Sequence, residues 1–240
     1  MTAQTLKKKQ EEMHERIWQN AQDKGLIKQK PKLEPLYDGV TDIEGYLSSN
    51  LKIMWILKEG YDGFTAKGQP KGGDWSFTNS EFWDEACSSM HKVMMQITYS
   101  AQNGNIPFKK LDNIDDNPEM RDAIKKSVYL NISKMPAYSS SGDLSEEYLI
   151  WKDIILEQIK LYAPDVIIFG YTFGYMRYDL GITDNDKPIH TQSGKWCSDI
   201  YQKDNMILVD AYHPARKGGE DGSHDYVTSI INALKKIDKK

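Results

Sequence analysis

Three side chains that could handle a proton or read a polar ligand stand at the ends of apolar runs: Glu59, Asn131 and His213. Glu59 follows Ile53-Met54-Trp55-Ile56-Leu57, Asn131 closes Val128-Tyr129-Leu130, and His213 lies just beyond Met206-Ile207-Leu208-Val209. A carboxylate and an imidazole are the usual general acids and bases, and a carboxamide both donates and accepts hydrogen bonds. Each also has a plain structural reading. Asn131 can bond loop backbone, Glu59 can pair with Lys58 or Arg216, and His213 can cap the turn before Pro214. Taken together at strand ends, the three mark a candidate site.

The elements that would bring them together can be read from the same runs. Continuous apolar stretches bounded by Gly, Asn and Asp predict strands buried on both faces. Such strands belong to parallel sheets covered by helices, and these sheets bind ligands beyond the carboxyl ends of their strands. Val166-Ile167-Ile168-Phe169 is a further run, entered by Pro164-Asp165 and closed by Gly170-Tyr171-Thr172. Between the runs lie helical patterns. Thr78 and Glu81 have capping-box spacing before Phe82, Ala86, Met90, Val93, Met94 and Ile97. Cys87 and His91 lie beside that stripe and read as packing residues. Pro118 opens a helix, and Ser145 opens a longer one with Leu149, Ile150, Ile154, Ile155 and Ile159 inward and Trp151 on the same face. The last helix runs from about Tyr226 through Ile230, Ile231 and Leu234. Strands alternating with helices predict an α/β fold, a three-layer α/β/α sandwich with a central, mainly parallel four-stranded sheet over residues 41–240. Residues 1–40 read as a peripheral helix, carrying Leu6, Met13, Ile17 and Trp18, and a proline-containing linker that wraps the domain. An edge strand is expected around Trp196.

Composition narrows the chemistry. The 240 residues carry a formal charge of −4, which gives no overall attraction to nucleic acid but leaves room for a local basic face. No apolar run approaches a membrane span, and the charged start of the chain lacks a secretory apolar segment. The two cysteines, Cys87 and Cys197, cannot form a disulfide framework or a four-thiolate cluster. A cytoplasmic, monomeric protein without metal or cofactor is expected. The loop 62–76 holds four glycines but no Gly-Lys-Ser/Thr, so it is not a phosphate-binding P-loop. Its Lys67 and Lys71 could still meet phosphates.

In order and spacing these motifs resemble the uracil-DNA glycosylase superfamily. Leu57-Lys58-Glu59-Gly60-Tyr61 stands where that family carries Gly-Gln-Asp-Pro-Tyr, and Phe77 matches its base-stacking aromatic. Asn131 matches its base-reading Asn, Phe169-Gly170 its third strand end, and His213-Pro214-Ala215 its His-Pro-Ser. The following Arg216-Lys217-Gly218-Gly219 occupies the family's DNA-wedging loop. The resemblance covers roughly residues 50 to 235. It implies cleavage of the N-glycosidic bond of a flipped uracil or related damaged base in DNA. Glu59 would orient water and stabilise the sugar cation, and His213 would bond the charge developing on the base. Tyr61 would gate the pocket, Phe77 would stack and Asn131 would read the base edge. Lys58, Lys67, Lys71, Arg216 and Lys217 would form a basic rim for DNA. Three positions depart from the pattern: Glu59 replaces Asp or Asn, Gly60 replaces Pro and Ala215 replaces Ser. The iron–sulfur branches need four cysteines and are excluded. A catalytically inactive nucleic-acid or base-binding protein on the same fold is the alternative.

Overall fold

The apolar runs form strands because each buries side chains on both faces. A computed structural model describes residues 1–86, 88–139, 142–215 and 219–236, with 219–223 described as helical backbone only. In chain order the elements are α1 (Ala3–Asp23), a small hairpin of β1 (Lys28–Gln29) and β2 (Lys32–Leu33), β3 (Gly39–Val40), α2 (Ile43–Ser48) and β4 (Ile53–Leu57). There follow α3 (Ser80–Glu85), α4 (Ser89–Gln102), α5 (Glu119–Lys125), β5 (Val128–Asn131) and α6 (Ser145–Tyr162). The chain continues through β6 (Val166–Gly170), α7 (Phe173–Met176), β7 (His190–Gln192), β8 (Ser198–Lys203), β9 (Met206–Ala211) and α8 (Gly219–Leu234).

The expected sheet is enlarged. The four apolar runs, β5, β4, β6 and β9, do pair in parallel. Three further strands pair antiparallel at the edges, giving a seven-stranded mixed sheet of order β3-β5-β4-β6-β9-β8-β7. The extra strands lack the continuous apolar signature because they are short or only partly buried. β8, for example, reads Ser-Asp-Ile-Tyr-Gln-Lys.

Alternate residues of the central strands feed two apolar clusters, one on each face. Trp55, Leu57, Tyr129, Ile168 and Val209 meet α3, α4, α5 and α8 on one side. Met54, Ile56, Leu130, Ile167 and Leu208 meet α1, α2, α6 and α7 on the other. The first central strand, β4, thus has the second on one side and the third on the other. The crevice between β4 and β6 is a topological switch point, where such sheets bind ligands.

Several local expectations change. The helix after residue 78 is two helices. Asn79 caps α3 by accepting from the Glu81 N–H, and Ser88 caps α4 by accepting from the His91 N–H. Thr78 instead bonds Ser76. Arg121 closes α3 by donating to the carbonyls of Trp83, Asp84 and Ala86. Leu149 lies outward, 72% exposed, while Trp151 is core.

Residues 1–40 are built into the fold. Leu6, Met13 and Ile17 of α1 are buried, and β3 extends the sheet. A buried polar network fastens this segment. The Lys134 ammonium donates to Asp38 Oδ2 at 2.5 Å and to Gln158 Oε1 at 3.1 Å. Asp38 also accepts from Gln158 Nε2 at 2.8 Å and from the Asn131 N–H at 2.9 Å.

Candidate functional site

A cavity of about 540 Å³ opens at the carboxyl ends of β4, β6 and β9, within the usual range for small-ligand sites. Glu59, Tyr61, Phe77 and His213 all line it, as do Trp75, Phe82, His91, Tyr129 and Tyr171.

Close backbone approach brings these ends together. A Cβ on Gly170 would run into Leu57 and lie 3.1 Å from Pro214 Cδ, so the glycine lets the His213-Pro214 turn sit against the end of β4. A Cβ on Gly60 would lie 2.5 Å from Leu36 Cδ1 and 3.1 Å from Phe77 Cζ. The glycine that stands in the family's proline position therefore seats the Phe77 ring against the loop. Trp83 Nε1 donates to the Phe77 carbonyl at 2.8 Å and fixes its backbone.

The aromatic wall is tightly braced. The Phe77 ring lies 4.4 Å from Tyr129 and 4.7 Å from Trp75 between centroids, and Trp75 stacks on Phe82 at 5.6 Å. The Trp75 indole is held by Asp62, whose carboxylate accepts from Trp75 Nε1 at 2.8 Å and from the Gly73 and Gly63 N–H groups at 2.7 Å. These donors hold the Asp62 carboxyl below its ordinary range against the opposing effect of burial. Gly72 and Gly73 take positive φ there, where added Cβ atoms would strike Asp62 and the Glu34 carbonyl.

Glu59 is 8% exposed, and its Oε1 accepts from the Tyr61 hydroxyl at 3.5 Å, the long limit of a hydrogen bond. Glu59 also lines a second cavity of about 610 Å³, bounded by Tyr138, Leu144, Glu147 and Trp151. Glu59 is thus a partition between two chambers.

His213 Nδ1 accepts from the Ala215 N–H at 3.2 Å. A backbone N–H can donate only to an unprotonated ring nitrogen, so the neutral ring carries its proton on Nε2. The turn that looked like a structural cap therefore also fixes the tautomer.

Asn131 stands one layer beneath, outside the cavity lining and 1% exposed. Its side chain lies beside the Tyr129 hydroxyl, which it pulls down against the upward push of burial. Among the described residues neither amide atom meets a hydrogen-bond partner in acceptable geometry. Lys58 reaches the site edge with its ammonium 5.3 Å from the Tyr171 ring centroid. Lys67 and Lys71 are exposed on the glycine-rich loop and do not line the cavity. Arg216, Lys217 and Cys87 lie outside the described residues.

Two residues carry weight the sequence did not reveal. Tyr171 follows β6 with φ 63°, a conformation costly for a bulky side chain, and its N–H is held by the Ala211 carbonyl at 2.8 Å. His91 packs edge-on to Phe82 and Trp83, as expected of a core residue, but also faces the cavity. Burial pushes its pKa down to about 4, so the imidazole is neutral at physiological pH. Its Nδ1 is buried without a hydrogen-bond partner among the described residues. Helical periodicity gave no sign that α3 ends at Glu85 and a separate helix, α4, carries His91. Among the described residues no group of three His, Cys, Asp or Glu could hold a metal ion, and no helix is long and apolar enough to cross a membrane. Comparison of the chain with protein-family models and with curated proteins finds no match to either.

Proposed function

We propose that this chain is a uracil-DNA glycosylase-like hydrolase that cleaves the N-glycosidic bond of a flipped uracil or related base. One observation carries the reading: Glu59 and His213 line the same aromatic-walled cavity at the strand ends. The base enters between Phe77 and the Tyr61 gate. The C1′–N bond breaks with its electron pair going to the base, where charge collects on the exocyclic carbonyl oxygen next to the departing nitrogen. His213, with its proton on Nε2, donates to that oxygen. Glu59 stabilises the cationic sugar and takes a proton from the water that adds to C1′. The chamber on the far side of Glu59 supports this role, since it gives that water a place away from the base.

The test is release of uracil from a single-stranded oligonucleotide under single-turnover conditions. Glu59→Gln should lower the rate by about 10²–10⁴-fold, and His213→Ala by about 10²–10³-fold. Failure of concentrated protein to release a base from any deaminated oligonucleotide would end the hydrolase reading. DNA binding without turnover, weakening steeply as salt rises, would support the non-catalytic alternative.

A further inference from the structure

Large aromatic side chains rarely lie open on a protein surface without a partner for them. On the carboxyl edge of this sheet they form a row. Tyr138 is 48% exposed, Phe64 54%, Tyr61 55%, Tyr171 59% and Tyr212 38%. Their order follows from the sheet. Tyr138 lies beyond β5, Phe64 and Tyr61 beyond β4, Tyr171 beyond β6 and Tyr212 beyond β9, and these strands are consecutive neighbours. Adjacent strands are about 4.8 Å apart, so the row advances in steps on the scale of stacked bases.

The rings meet in two groups, one on each side of the cavity. Phe64 lies 4.7 Å from Tyr138 between centroids. Tyr61 bridges to Ala137, next to Tyr138. Tyr171 is nearly parallel to Tyr212, at 18° and 6.4 Å, and Tyr212 meets Trp196 edge-on at 5.4 Å. The cavity opens between Tyr61 and Tyr171, both of which line it.

We propose that this row is a stacking track for single-stranded DNA, laid across the sheet edge so that one base drops into the cavity midway. The proposal rests on the hydrolase reading for the nature of that base. An unpaired strand fits better than a duplex, because a duplex hides its base faces and a row of rings can only use exposed ones. The charge balance agrees. At a formal charge of −4 the chain has little general attraction for a polyanion, so stacking must supply much of the affinity. Cations lie over one face of two of the rings: Lys58 Nζ is 5.3 Å from the Tyr171 centroid and Lys195 Nζ 5.5 Å from that of Trp196. Each is placed to meet a phosphate passing a stacked base. The backbone under the rings is anchored as well. The Tyr226 hydroxyl donates to the Tyr212 carbonyl at 2.5 Å, and the Ser229 hydroxyl donates to the Trp196 carbonyl at 2.6 Å.

The experiment measures Kd by fluorescence anisotropy with the full chain and a uracil-free oligothymidylate of about ten nucleotides. An abasic strand and a blunt duplex of equal length are the comparators. The oligothymidylate should bind at least tenfold more tightly than either. Phe64→Ala and Tyr212→Ala, both outside the cavity lining, should each weaken it about tenfold while leaving abasic-strand binding unchanged. Equal affinity for the abasic strand, preference for duplex, or wild-type affinity in both variants with native circular dichroism would overturn the track. So would complete absence of binding, which would return the rings to another partner such as a peptide. Because the probe holds no uracil, the readout is independent of turnover. Ring-dependent binding with no base release would keep the track and sink the hydrolase; base release without ring-dependent binding would do the reverse.

Discussion

Asn131 and Lys134 lie three residues apart at the end of β5, and both are 1% exposed. Their surroundings are opposites. Lys134 brings a charge into the interior and is met by Asp38 and Gln158. Asn131 brings a neutral amide, and among the described residues neither of its side-chain polar atoms meets a partner in acceptable hydrogen-bond geometry, the neighbouring Tyr129 hydroxyl included. Each region also buries an imidazole. His14 Nε2 bonds the Asp38 carbonyl beside the network, while His91 Nδ1 in the cavity wall bonds nothing among the described residues. Burial lowers the pKa of both rings. A satisfied polar group rigidifies a fold, whereas an unsatisfied one costs stability and implies a use. The Lys134 side therefore reads as fastening, while the Asn131 side carries a cost that packing alone does not offset.

That contrast can be broken most severely at Asp38. Asp38→Ala strands a buried ammonium and should cost about 3–5 kcal/mol of unfolding free energy, measured by urea denaturation. Asp38→Asn combined with Lys134→Met should recover most of it. Next in size is an acid effect from the cavity wall. His91 titrates near 4 when folded, below its ordinary 6.5, so the folded chain binds fewer protons than the unfolded one. The stability it contributes is complete above pH 6.5 and is lost as pH falls through about 4, on the order of 3 kcal/mol at most. His91→Phe, which keeps the packing on Phe82 and Trp83, should flatten that part of the pH–stability curve; an unchanged slope would show that His91 is not buried in solution. The smallest change is expected at Asn131. Asn131→Leu removes an unsatisfied amide and should raise stability by about 1 kcal/mol while lowering uracil release. A loss of stability instead would mean that the amide is bonded after all, and the contrast with Lys134 would vanish.

The four central strands were legible because burial on both faces leaves an unbroken apolar run. The added antiparallel strands were less so: β3 is only Gly39–Val40, and in β8 only Ile200 and Tyr201 are apolar. Glu59 and His213 could be placed at one sheet edge because strand ends are a topological property. The depth of Asn131 could not, since it depends on how Tyr129 and Asp38 pack around it. Tyr171 was visible as a strand end but not as a strained one. That strain comes from the Ala211 carbonyl, forty residues further along the chain. His91 was hidden by a helix break that Arg121 enforces from another helix.

The fastening of residues 1–40 bears on when the site can exist. Gln10 Oε1 accepts from the Tyr162 hydroxyl, 152 residues away along the chain, and Asp38 needs Lys134 and Gln158. Leu36, which backs Gly60 in the cavity wall, belongs to the same segment. On a growing chain α1 emerges well before its partners and has to wait for them, since contacts of such long sequence separation form late. The chamber around Glu59 therefore cannot be walled before residues 134–162 are in place to hold the segment that carries Leu36.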